Sequence, residues 1–181
     1  MRRAPARTAL GCLLVALATG IAAPAAATAF PRAVVATRSH GIARIAGVPI
    51  GELFNAPTLA AVRDRLGSER SLSRRYESCL ARWPGGLTLG FTTFGPAEPC
   101  SKRALQFGTL TGRGWRVHVG GRTYRTRAAR STLGSAPYSR LSHGYVLAAM
   151  AFVGGRTPTV VAHVSGGRVR TFELFVGGAG D

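Results

Sequence analysis

Cys79 and Cys100 are the residues of this chain whose chemistry is most direct. They form an even pair once Cys12 is set aside with the amino end. In an oxidising compartment the economical reading is a disulfide. It would close a loop of about 20 residues and stabilise by about 3 kcal/mol. A zinc site would need more ligands at short spacing, such as C-x-x-C or H-x-x-x-H. His40, His118, His143 and His163 are far apart and match no such pattern. A cysteine nucleophile would have to stay reduced outside the cell.

The carboxylates are Glu52, Asp64, Glu69, Glu77, Glu98, Glu173 and Asp181. A glycosidase needs two carboxylates facing each other across a bond, and nothing in this spacing suggests such a pair. Neither Ser135 nor Ser165 sits in a G-x-S-x-G elbow. No P-loop or G-x-G-x-x-G is present. The expectation is a protein that is not an enzyme and takes no cofactor and no metal. A small hydrolase with a scattered site is an alternative, because chain order does not exclude a dispersed triad.

The chain has 181 residues, enough for one compact domain or two small repeats. Its apolar fraction of 46% argues against wholesale disorder. Arg2, Arg3 and Arg7 precede the apolar run Leu10 to Ala18, and Ala25, Ala27 and Ala29 follow Pro24. This is the layout of a secretory signal peptide, with cleavage expected after Ala29 and a secreted product. The apolar run is shorter than the about 20 residues of a membrane span. Removal of residues 1–29 leaves 21 basic and 7 acidic residues, a charge of +14. Of the 24 basic residues, 23 are arginine. That skew, with abundant Ala and Gly, is better read as a GC-rich coding bias than as phosphate recognition. Only short basic clusters occur, at Arg74-Arg75 and from Arg122 to Arg130, so solvated surface arginine is the expected role.

Turning to the elements that must position these groups, Phe30 to Ala46 has no clear period and reads as a lead-in. Val48 to Gly51 reads as a short edge strand. Leu59, Val62 and Leu66 share a helical face, so a helix is expected over Thr58 to Leu66, ended by Gly67. Strands are expected at Tyr76 to Trp83, Leu87 to Phe94 and Leu105 to Leu110, with a loop from Gly95 to Lys102. Trp115 to Gly120 alternates as a strand, and Thr123 to Leu133 reads as a second short helix ended by Gly134. Tyr145 to Val153, Thr159 to Val164 and Val169 to Val176 are further strands. Ser165-Gly166-Gly167-Arg168 is a tight hairpin of the type I′ kind.

The halves superpose in order: Ile50-Gly51 matches Val119-Gly120, and Leu66-Gly67-Ser68 matches Leu133-Gly134-Ser135. The expected fold is α+β, with antiparallel sheets, short helices and no parallel core, built as two β-α-β-β-β repeats. Residues 47–112 form the first repeat and 113–181 the second, after a signal peptide at 1–29 and a lead-in at 30–46.

A short strand ending in Ile-Gly or Val-Gly, a small helix ending in Leu-Gly and then a meander resembles the BamE/SmpA-type small domain. Two such units in one secreted chain resemble the beta-lactamase-inhibitory-protein family, over roughly residues 47 to 177. The Cys pair and the final Gly166 to Val169 hairpin are also similar to those of small secreted actinobacterial proteins. The resemblance implies helices on one face of antiparallel sheets, and partner binding by the exposed sheet face and loops. The known inhibitor inserts an acidic hairpin loop; the comparable Gly95 to Lys102 offers Glu98 and Lys102.

The leading expectation is therefore a secreted binding module for an extracellular or envelope protein. Trp115, Tyr145 and Phe175 are the candidate interface anchors, since aromatics dominate interfaces. The second expectation is a cationic protein that binds a polyanionic cell-wall polymer, with no specific nucleic acid and no membrane span after cleavage. One contiguous arginine face would favour the second, and a mixed surface the first.

Overall fold

The computed structural model describes residues 30–37, 41–51, 55–75, 77–93, 99–152 and 155–176. The signal peptide expected over 1–29 lies outside them, as do His40, Glu52, Tyr76, Glu98 and Asp181.

The lead-in is the first departure from expectation. Ala33–Thr37 (β1) and Gly41–Ile45 (β2) are strands, and Val48–Pro49 (β3) continues from β2 through a turn at Ala46-Gly47. Val34 and Ala36 alternate inward along β1, a period of two that the neighbouring Ala and Arg residues disguise. The helix comes next, at Leu59–Leu66 (α1). Leu59 and Val62 are buried on its apolar face, and the Thr58 side chain accepts a hydrogen bond from the Ala61 N–H at 3.3 Å. Gly67 takes a positive φ of 76° past its end, a conformation that glycine adopts without strain.

Four strands follow as a meander: Ser71–Arg75 (β4), Ser78–Trp83 (β5), Leu87–Thr92 (β6) and Ala104–Leu110 (β7). The chain then forms Arg116–Val119 (β8) and Arg122–Arg125 (β9), which are a hairpin. The second helix expected over 123–133 is not formed. Tyr124 and Thr126 alternate inward, which suits a strand, and only Arg130–Leu133 makes a 3₁₀ turn. A second meander closes the chain: Tyr138–Ser139 (β10), Gly144–Phe152 (β11), Gly155–Ser165 (β12) and Arg168–Phe175 (β13). The expected Ser165–Arg168 hairpin is present, with Gly166 and Gly167 at φ of 57° and 69°.

The strands make two sheets. One has five strands in the order β3-β2-β1-β8-β9. The other has eight, in the order β10-β11-β12-β13-β7-β6-β5-β4. Within the described residues the fold is β-rich, with α1 as its one α-helix. Its pairing is antiparallel except between β1 and β8, which run parallel from Ala33 beside Arg116 to Ala36 beside Val119. That pair corrects the expectation of no parallel core. It arises because β1, within the segment expected as a lead-in, inserts between the β2–β3 and β8–β9 hairpins.

Side chains of both sheets join one core. Val34, Ile45, Val117 and Tyr124 come from the five-stranded sheet, and Trp83, Leu89, Leu110, Phe172 and Leu174 from the eight-stranded one. Cys79 and Cys100 form a disulfide with a Cα–Cα distance of 5.8 Å. It ties β5 to the 3₁₀ turn at Cys100–Lys102, beside which α1 packs. The register of the halves differs from the one read in the sequence. Val119-Gly120 enters the β8–β9 turn, whereas Ile50-Gly51 lies beyond β3. Gly120-Gly121 forms the β8–β9 turn, and Ala46-Gly47 forms the β2–β3 turn.

Candidate functional site

Period two along β1, β2, β8 and β9 sorts their side chains onto two faces. Val34, Ala36, Ile45, Val117, Val119 and Tyr124 point into the core. The alternate positions put Arg44, Arg116, His118 and Arg125 on the opposite face. Arg116 and Arg125 are directly opposed across the β8–β9 ladder. Arg44 lies on the next row, which runs Arg44, Val35, His118, Thr123 across the sheet. Adjacent strands are about 5 Å apart, so Arg44 stands about 10 Å from His118. Arg32 and Arg113 flank the Arg116 end: the Arg32 Nη1 donates to the Arg113 carbonyl at 2.8 Å, and the Arg116 N–H donates to the Arg32 carbonyl. The five strands contain no Asp or Glu.

Like charges directly opposed on a sheet repel. With no carboxylate among them, Arg44, Arg116 and Arg125 create a positive potential above this face. The sequence signal for it was available. From Pro99 to Phe172 there are 11 arginines and Lys102 and no acidic residue at all. The signal is an acid-free run rather than a short basic cluster, and the strand pairing that gathers Arg44 with Arg116 is not local.

The acidic residues are elsewhere. Glu69 is paired with Arg63: the Arg63 Nε donates to Oε2 at 2.8 Å and Nη2 donates to Oε1. The hydrogen bonds from Arg63 hold the Glu69 carboxyl below the usual carboxylate range, and Glu69 raises the Arg63 guanidinium in turn. Glu173 faces His163, with Nε2 to Oε2 at 2.9 Å. His118 pairs its Nδ1 with the Thr123 hydroxyl at 2.9 Å. Among the described residues no three His, Cys, Asp or Glu side chains gather as metal ligands would. Arg103 departs from the expected solvated role and is buried at 1% exposure.

The three aromatic anchors are not brought together. Trp115 is wholly buried, with its Nε1 donating to the Gly85 carbonyl at 2.8 Å and its ring edge-on to Phe30. It is a core residue and offers no contact area; its indole satisfies its one donor inside the fold. Tyr145 is half-buried on β11, edge-to-face with Tyr138 at 5.3 Å and capped by the Arg130 guanidinium at 5.2 Å. Phe175 is half-buried on β13 opposite Phe107 of β7, and neither joins the core cluster. The Phe107 ring lies across Gly90, where a Cβ would come within 2.4 Å of its carbons.

Phe175 also lines a cleft of about 880 Å³. Its walls are β9, through Arg122 and Tyr124, the segment 135–142, and β11 and β12. Comparison with family models, with characterised proteins and with solved structures gives no match to this chain.

Proposed function

We propose that the protein is a secreted, non-enzymatic binding module that holds an anionic polymer of the cell envelope on the outer face of its five-stranded sheet. The observation that carries this reading is the opposed pair Arg116 and Arg125, joined on one face by Arg44 and His118 in a sheet without a carboxylate. An arriving phosphate or carboxylate polymer relieves the repulsion between the arginines and releases its own counterions. A disulfide supports secretion, as does the signal-like amino end.

Two related units, each an α+β repeat, are supported by a shared order: hairpin, helical segment, four-stranded meander. Positive φ at Ala46-Gly47 and at Gly120-Gly121, in the two hairpin turns, supports it further.

The test uses the oxidised chain from residue 30 and poly(glycerol phosphate) as the probe. Binding is expected at about 50 mM salt and largely lost by about 200 mM. The double variant Arg116→Glu, Arg125→Glu is expected to weaken it by more than about tenfold. Equal binding by that variant would sink the reading. Preference for DNA of matched charge would move the ligand class to nucleic acid.

The pairing of Phe107 with Phe175 favours a second reading, in which the eight-stranded sheet docks an envelope protein. Its mark is protein binding that survives high salt and is lost in Phe107→Ala.

A further inference from the structure

The outer face of the five-stranded sheet carries one group whose charge is not fixed. Its arginines are cationic at every pH the fold tolerates, whereas histidine is the side chain that gains a charge between about pH 5 and pH 8. His118 stands among those arginines. Arg116 is two residues away along β8 on the same face, at about 7 Å. Arg125 is the diagonal neighbour across the β8–β9 ladder, at about 7–8 Å, and Arg44 lies on the same row beyond Val35 of β1. Thr123 is directly opposite. No Asp or Glu occurs on these strands to cancel an added charge. The other described histidines are off this face: His143 precedes β11, and His163 is on β12, bonded to Glu173.

The imidazole is held in both of its charge states. Its Nδ1 is 2.9 Å from the Thr123 hydroxyl. A hydroxyl both donates and accepts, so it donates to Nδ1 when that nitrogen is bare and accepts from it once it carries a proton. Rotation of one hydroxyl hydrogen is the only change required. The pairing leaves Nε2 as the ring nitrogen that meets a ligand. We propose that His118 contacts the anionic polymer and takes up a proton from solvent when the polymer binds, so that the grip tightens as the surroundings acidify. This inference rests on the polymer reading given above and adds its regulation. A bound phosphate stabilises the imidazolium, and by reciprocity the imidazolium strengthens the hold on the phosphate. The charged ring also adds to the repulsion among Arg116 and Arg125, which the polymer then relieves.

The experiment titrates the oxidised chain from residue 30 with poly(glycerol phosphate) at about pH 5.5 and about pH 7.5, a range that spans the charging of histidine. The diester phosphates of the probe keep their charge throughout, so any response belongs to the protein. Binding at about 50 mM salt is expected to be about tenfold tighter at the lower pH, and the dependence of log affinity on log salt to steepen by about one, as for one more phosphate neutralised. Calorimetry at about pH 6.5 in buffers of different ionisation enthalpy is expected to show net proton uptake on binding. His118→Gln is expected to lose the acid response and the proton uptake. His118→Arg is expected to bind at the higher pH as tightly as the unmodified chain does at the lower one, a gain that a merely structural role for the ring would not give. Equal affinity at the two pH values, or binding without proton uptake, would overturn the proposal. Neither outcome needs a variant, so a misfolded substitution leaves it testable. An acid response that persists in His118→Gln would also overturn it, by assigning the proton elsewhere. Absence of binding at both pH values would sink the polymer reading and this inference with it, whereas binding indifferent to pH would sink this inference alone.

Discussion

The chain up to Leu110 and the chain from Arg116 onward each contain a hairpin and a four-stranded meander, and they put these elements to different ends. The first packs α1 beside its meander, buries Leu59 and Val62 there, and fastens β5 to the neighbouring turn through Cys79–Cys100. The second has a 3₁₀ turn at Arg130–Leu133 in the place of the helix and no disulfide, and a cleft opens beside β9. The charge follows the same division. Asp64, Glu69 and Glu77 are in the first half, whereas Glu173 is the acidic residue described in the second. A sheet face covered by its own chain is committed to stability. One covered only in part, beside a segment rich in arginine, is left with capacity to bind.

The strongest way to break this comparison is to remove the disulfide. Cys79→Ser with Cys100→Ser is expected to cost about 3 kcal/mol, read by denaturant unfolding. Binding of poly(glycerol phosphate) is expected to be unchanged under native conditions, because Cys79 and Cys100 lie outside the five-stranded sheet. A matching loss of poly(glycerol phosphate) binding would mean that the two regions are not separable in this way.

How far the sequence carried the comparison depends on whether a signal was local. Leu59, Val62 and Leu66 marked α1, Gly67 its end, and Gly166-Gly167 the last hairpin, because spacing and backbone freedom within a few residues decide them. The Cys79–Cys100 pair was legible from parity alone. The strands β1 and β9 were not legible. β1 is set by a parallel partner more than 70 residues away, Arg116 to Val119, and the alternation of β9 is only four residues long. Missing them hid the cationic face, since Arg44 and Arg116 become neighbours only when β1 lies between their strands. Trp115 shows the reverse failure. Its residue type is right for an anchor, but burial is a property of the packed fold and not of type.

A smaller change sharpens the account of why α1 forms in one half alone. Thr58 caps α1, while Ala129 precedes the 3₁₀ turn with no side-chain cap. Thr58→Ala is expected to cost about 1 kcal/mol in thermal or denaturant unfolding. A negligible effect would assign the helix to tertiary packing of Leu59 and Val62 alone.

The smallest expected effect concerns the ion pair that closes the same helix. Glu69 is largely buried and Arg63 partly exposed, so the pair contributes at most about 1 kcal/mol after screening. The Glu69 carboxyl is held below its ordinary value by hydrogen bonds from Arg63. A carboxyl lowered in the folded state contributes stability above its unfolded value, and that contribution is lost as pH falls through the folded value. Unfolding free energy is therefore expected to decline as the solution is acidified below the ordinary carboxylate range. Glu69→Gln is expected to flatten part of that decline while lowering stability at neutral pH. Because residues 122–142 contain no Asp or Glu, the acid-sensitive amide protection is expected at 59–70 and not at 122–142, read by hydrogen exchange. An equal acid response in both segments would show that the halves open as one unit, and the contrast between a fastened half and a receptive one would then be static rather than energetic.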